Sequence, residues 1–156
     1  MGLFSKLKSV LTKTRDGISQ KLNDLFASNK LGDEFYEELE ELLMVPGVSG
    51  NEGMIRKLVI KKLTPYVDNI TVDYYGNLLA EKTFGSGHGP TILLNAHLDV
   101  QSEIVAGRKI LKDGSIWSSS KGILGADDRA GIAVILEVIK SIKNRNDFSG
   151  TIKIIF

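Results

Sequence analysis

One imidazole and a few carboxylates are the residues of this chain whose types and spacing could do chemistry. His97 and Asp99 stand two residues apart where the apolar run Leu93-Leu94-Asn95-Ala96 gives out. Asp127 and Asp128 follow Gly125-Ala126 directly ahead of a new apolar period at Ile132, Ile135, Leu136, Val138 and Ile139. Side chains two apart on an extended chain point the same way. A strand over residues 91–96 therefore delivers His97 and Asp99 side by side at its carboxyl end, the place where open α/β sheets bind ligands. A carboxylate at the start of the following helix is held by the helix N-terminus and can still reach a cation in front of it. An imidazole, a partner carboxylate and a second carboxylate from a neighbouring strand end are what a divalent, zinc-type site draws on. Spacing alone also admits a plainer reading, in which His-x-Asp arises by chance and Asp-Asp ahead of a helix is an N-cap. His88, the only other histidine, sits in the glycine-rich loop Phe84-Gly85-Ser86-Gly87-His88-Gly89-Pro90 and is expected to face solvent.

These residues need elements to carry them. The apolar run entered through Gly89-Pro90 suits a strand buried on both faces. A helix over about residues 128–144 packs on the sheet, and Thr151-Ile152-Lys153-Ile154-Ile155-Phe156 begins another buried strand. Upstream, Gly47, Ser49 and Gly50 make a turn, and Asn51 or Ser49 can cap a helix lined by Ile55, Leu58, Val59 and Leu63 and ended by Pro65. Residues 69–73 and 78–82 read as two strands joined through Tyr75-Gly76-Asn77, a hairpin signal. Residues 100–121 lack a helical period, and Asp113-Gly114 leading into Ile116-Trp117 suggests an irregular hairpin with Trp117 as a packing residue. The fold class is α/β, a mixed sheet flanked by helices.

Composition bounds the rest. A chain of 156 residues with 42% hydrophobic and 25% charged residues is an ordinary globular protein, long enough to bury a core. The formal net charge of +1 gives no whole-chain field for nucleic acid. Absence of cysteine excludes disulfides and thiolate metal sites. No apolar run approaches the roughly 18 residues of a membrane span and no secretory signal opens the chain, so the cytoplasm is the expected compartment.

The overall balance hides an asymmetry. Residues 1–30 carry six basic side chains against two acidic ones, whereas residues 31–43 carry six acidic side chains and no basic one. Leu3, Phe4, Leu7, Val10, Leu11, Ile18, Leu22, Leu25 and Phe26 recur at helical steps with lysines between them. That pattern fits an amphipathic helix packed on its own protein, or one that touches anionic lipid through Lys6, Lys8 and Lys13. In the second case the protein is peripheral to the inner face of the membrane, with contact through residues 1–26. Myristoylation is not expected, because Lys6 stands where that motif takes Ser or Thr. Asp33 can cap a second helix through Leu43, with Phe35, Leu39, Leu42 and Leu43 as its apolar stripe.

Two resemblances organise these readings. Leu94-Asn95-Ala96-His97-Leu98-Asp99-Val100, then Gly122-Ile123-Leu124-Gly125-Ala126-Asp127-Asp128-Arg129-Ala130-Gly131, with the lead-in Val45-Pro46-Gly47-Val48-Ser49-Gly50-Asn51-Glu52, resemble the N-terminal part of the M20 dinuclear zinc metallopeptidases, on the peptidase T-like branch. The resemblance implies His97 as a ligand of one metal and Asp127 as a bridge between two. It implies Asp99 as the catalytic partner that orients the imidazole, a cis Asp127-Asp128 peptide, and a short peptide as substrate. Asp128 is not carried over as a ligand. A general-base glutamate, further ligands and a closing histidine come later in that family and have no counterpart here, so this polypeptide alone is expected to bind zinc weakly and hydrolyse nothing.

The second resemblance lies upstream. Phe4-Ser5-Lys6-Leu7-Lys8, Lys13-Thr14-Arg15, Leu25-Phe26 and Asp33-Glu34-Phe35-Tyr36-Glu37-Glu38-Leu39-Glu40-Glu41-Leu42-Leu43 resemble the first two helices of the N domain of the bacterial signal recognition particle receptor. No Gly-x-x-x-x-Gly-Lys-Ser/Thr loop occurs, so no nucleotide is expected. The division implied is 1–43 for the helical segment and 44–156 for the peptidase-like part. The alternatives are a membrane- or partner-targeting helical module carrying a passenger fragment, and a fused or truncated reading frame with no activity of its own. A peptidase sheet cut after a few strands would leave an apolar edge open, and marginal stability or association is expected of it.

Overall fold

The computed structural model describes residues 31–145, 147 and 149–156. The amphipathic period over residues 3–26, with Lys6, Lys8 and Lys13, lies outside the described residues. The helices described are α1 (Asp33–Met44), α2 (Gly53–Leu63) and α3 (Ala126–Ile142). The strands are β1 (Asn69–Val72), β2 (Leu78–Phe84), β3 (Thr91–Asn95), β4 (Ile110–Asp113), β5 (Ile116–Ser119) and β6 (Gly150–Ile155).

Four strands form a mixed sheet in the order β1-β2-β6-β3. β1 and β2 are the antiparallel hairpin expected around Tyr75-Gly76-Asn77, β2 pairs antiparallel with β6, and β3 pairs parallel with β6. Two parallel neighbours need a crossover, and α3 lies in it. The register sets Asn95 opposite Ile155, and the Ala96 N–H extends the ladder by donating to the Ile155 carbonyl at 3.2 Å. The two strands therefore finish together, and His97 emerges at that shared end. The chain enters β3 through Gly89 because a Cβ there would stand 1.7 Å from the Ser149 carbonyl oxygen.

The sheet is apolar on one face. Leu78, Ala80, Phe84, Ile152 and Ile154 share one core with Ile55, Val59 and Leu63 of α2 and Ile132, Ile135, Leu136 and Ile139 of α3. Phe35 and Leu42 of α1 belong to the same core. So α1, whose sequence reads as part of the upstream segment, is packed as a component of the peptidase-like body. β4 and β5 form the separate hairpin expected around Asp113-Gly114. It docks on α1 through Tyr36 and Trp117, whose rings lie 5.7 Å apart. Lys112 sits 4.4 Å above the Trp117 ring and 2.6 Å from Glu40.

Three expectations are corrected. β3 is not buried on both faces: its burial alternates, with Leu93 57% exposed, as on an antiparallel sheet covered on one side. Among the described residues β3 is also an edge strand, paired only with β6. Asp33 does not cap α1; Gly32 holds the cap position and Asp33 lies in the first turn, where its charge favours the helix N-terminus. Neither Asn51 nor Ser49 caps α2; the cap position is Glu52, with no side-chain cap, because the Glu52 carboxylate accepts from the Gly50 N–H and the Ser49 hydroxyl is engaged elsewhere.

Candidate functional site

The carboxyl end of β3 and the start of α3 meet as the spacing requires. His97 Nε2 lies 3.1 Å from Asp127 Oδ1, and His97 Nδ1 lies 2.9 Å from Asp99 Oδ1 and 3.1 Å from the Asp99 carbonyl. Each nitrogen of the ring thus faces carboxylate oxygen. The three residues sit in front of the sheet, where His97 is half exposed and the Asp127 side chain 97% exposed.

The turn that supplies Asp127 departs from the helix it leads into. Gly125 adopts φ 75°, a left-handed conformation suited to glycine, and Asp127 and Asp128 carry non-helical angles. The Asp127–Asp128 peptide is cis, as the resemblance implies. Asp128 turns away from His97 and accepts the Gly131 N–H at 3.1 Å, which makes it the N-cap of the regular part of α3. The plain capping role therefore falls to Asp128 and leaves Asp127 to the imidazole.

Two guanidinium groups that touch the segments around the site are buried. Arg129 is 1% exposed; Nη2 reaches the Val45 carbonyl at 3.4 Å, while Nε and Nη1 find no hydrogen-bond partner among the described residues. Burial pushes its pKa down to about 10, against the opposing charge of Asp99. Arg108, 3% exposed, donates to the Ile123 and Leu124 carbonyls at 2.7 and 2.8 Å and to the Leu43 carbonyl. It ties the turn ahead of Asp127 to the end of α1. Arg129 lies inside the second motif, which assigns it no role, and Arg108 lies outside both motifs.

The electrostatics follow from these contacts. Partial burial opposes the charged form of His97, but the hydrogen bonds to Asp127 and Asp99 outweigh it and raise the pKa above 6.5. Asp99 is held below the usual carboxylate range, first by the Ser49 hydroxyl, against some burial, and then by His97. A ring facing carboxylate on both nitrogens favours the imidazolium, with one proton on Nε2 between the ring and Asp127. A cation would take the place of that proton. Two ligand atoms on a tetrahedral zinc-sized ion stand roughly 3.3 Å apart, close to the 3.1 Å between Nε2 and Asp127 Oδ1. The residues present therefore fit a divalent metal, with Asp99 fixing the ring from behind. They fill only part of its coordination: among the described residues no cluster of three or more His, Cys, Asp or Glu side chains is arranged around one point as a complete metal site. His88 is exposed in its loop, as expected.

This mixed sheet with its His–Asp strand end has the architecture of the M20, peptidase T-like peptidases, and the chain resembles their N-terminal part in sequence and in fold. The crystal structure of aminopeptidase PepT from Bacillus cereus matches at 29% identity with a TM-score of 0.68, covering 79% of this chain and 35% of that one. That of a tripeptidase from Staphylococcus aureus matches at 26% identity with a TM-score of 0.66, covering 78% and 35%. The uncharacterized protein YqjE of Bacillus subtilis is 31% identical over 127 residues, 76% of this chain and 34% of that protein. The signal recognition particle receptor FtsY of Rickettsia felis is 45% identical over 49 residues, 31% of this chain and 16% of that protein. The chain thus spans about a third of the length of YqjE and of the PepT aminopeptidase. No family model matches it. The peptidase neighbours imply a metal cofactor in their own family.

Proposed function

We propose that the described residues form the N-terminal part of the catalytic domain of a dinuclear zinc peptidase that cleaves short peptides. The observation that carries this reading is the 3.1 Å approach of His97 Nε2 to Asp127 Oδ1 with Asp99 on the opposite ring nitrogen. His97 and Asp127 would then hold the metal, Asp127 as the carboxylate shared by the pair, and Asp99 would orient the imidazole. Bound there, a pair of zinc ions would polarise the scissile carbonyl and lower the pKa of a bridging water. This chain's own part is to hold the Nε2 lone pair and the Asp127 carboxylate facing one point. Among the described residues no further His, Cys, Asp or Glu side chain joins His97 and Asp127 around one point as a third ligand. A catalytic zinc usually has three protein ligands, so the chain by itself binds zinc weakly and hydrolyses nothing.

Isothermal titration with zinc or cobalt(II) tests this. Weak saturable binding is expected, lost in His97→Ala and Asp127→Ala and weakened about 10–100-fold in Asp99→Asn. Binding indifferent to His97 would overturn the site; zinc-dependent tripeptide hydrolysis by the purified chain would overturn the incompleteness.

A second reading concerns the upstream residues and is supported by the likeness to FtsY. In it Lys6, Lys8 and Lys13 bring the protein to anionic lipid. Co-sedimentation with phosphatidylglycerol vesicles is expected at low salt and lost when all three become Glu. Absence of binding at every salt concentration would end this reading.

A further inference from the structure

We propose that Ser49 is a positioning residue of the site: its hydroxyl fixes the Asp99 carboxylate, and through it the ring of His97. The inference deepens the metal reading above and rests on it for one of its two measurements.

The loop that carries Ser49 is built to bring it there. Gly47 is buried where a Cβ would stand 2.7 Å from Ile55 Cγ2 and 2.8 Å from Arg129 Nη2, so only glycine lets the backbone lie this close to α2 and α3. Its carbonyl accepts the Val100 N–H at 2.9 Å, and Val48 bridges Val100 in parallel. Residues 47–49 thereby run beside residues 99–100 like a short added strand. Gly50, at φ 81°, turns the chain away into α2, closed by the Asn51 N–H on the Val48 carbonyl at 2.8 Å. Ser49 is left with its hydroxyl donating to Asp99 Oδ2.

Asp99 consequently spends its two oxygens on different partners, Oδ1 on His97 Nδ1 at 2.9 Å and Oδ2 on Ser49. A carboxylate held by one contact can rotate about its Cβ–Cγ bond; one held at both oxygens cannot. Metal-ligating histidines depend on the partner of their other nitrogen for tautomer and orientation. Ser49 acts one step further back, through Asp99, and makes the loop ahead of α2 part of the site.

The test uses the full chain, free of metal and then with cobalt(II). At pH 8.5, long-range proton–nitrogen correlation spectra of the ring report where the His97 proton resides; the chain has only two histidines, and His88→Gln isolates the signal. Ser49→Ala is expected to lower the share of the Nδ1–H tautomer and weaken cobalt(II) binding by about tenfold, the low end for partners of a ligand. Ser49→Thr, which keeps the hydroxyl, is expected to restore both. The urea midpoint serves as a folding control, since Ser49 is exposed. A His97 ring spectrum that is the same in wild type and Ser49→Ala overturns the proposal even if cobalt(II) binds. A ring that changes in a chain that binds no cobalt(II) supports the positioning and overturns the metal reading instead.

Discussion

Arg108→Met is expected to lower folding stability by about 3 kcal/mol, read from urea unfolding at neutral pH. The buried guanidinium donates to three carbonyls on two segments far apart in sequence, Leu43 at the end of α1 and Ile123 and Leu124 ahead of Asp127. α1 has no basic residue in its last turn, so its terminal carbonyls meet their positive partner from this loop. Each buried carbonyl left without a donor costs about 1–3 kcal/mol. The sum is reduced because removing Arg108 also removes a charge whose pKa burial already pushes down, and an Nε that finds no partner among the described residues. Methionine fills similar space, which separates hydrogen bonding from cavity formation. Arg108→Lys is expected to recover part of the loss, since an ammonium cannot span the same fork of acceptors. Because domains hold only about 5–15 kcal/mol in total, the turn that presents Asp127 should loosen before the core does. Amides of residues 122–126 would then exchange faster in Arg108→Met, while those of β2 and β6 change less. A midpoint within error of wild type would show that water replaces the guanidinium freely.

Arg108 also marks the limit of what the sequence discloses. The site's direct members were legible because their geometry is local: two residues on one strand point the same way, and a carboxylate after Gly-Ala opens a helix. Those periods placed β3, α3 and the β1–β2 hairpin, and the two motifs in order indicated which strand end His97 and Asp127 would share. What stayed hidden depends on distant pairs. Ser49 reads locally as a helix cap, and only the parallel bridge between Val48 and Val100 turns it toward Asp99. The alternating burial of β3 was masked because Ile92, Leu93 and Leu94 are all apolar, so composition could not show that Leu93 faces outward. The acidic run of residues 31–43 reads as part of the upstream segment, yet one of its glutamates is among the few buried charges of the described residues.

That residue, Glu38, gives the second large effect: Glu38→Gln is expected to cost about 2 kcal/mol. Glu38 is 7% exposed and joins the three described helices, with Lys140 of α3 at 2.7 Å and Lys62 of α2 at 3.3 Å, while Lys62 also pairs with Glu41. Removing one member of a buried ion pair typically costs about 3–5 kcal/mol because its partner stays desolvated and unpaired. Here the lysine side chains are 16% and 26% exposed and can reach water, which brings the figure down. The pH dependence has a definite sign. Burial works against the Lys62 ammonium, but the hydrogen bond to Glu41 and the charges of Glu38 and Glu41 raise its pKa above 10.5. Its contribution to stability is therefore complete below pH 10.5 and is lost as pH rises through the higher folded value. Wild type should lose more stability than Glu38→Gln across that alkaline range, so the two unfolding curves converge. Replacing Glu38, Lys62 and Lys140 together by Met should bring stability back to within about 1 kcal/mol of wild type, since buried ion pairs seldom outperform apolar packing of similar volume. If Glu38→Gln instead unfolds at the wild-type midpoint at pH 7, water already solvates the three groups, and the helices are held by their apolar contacts alone.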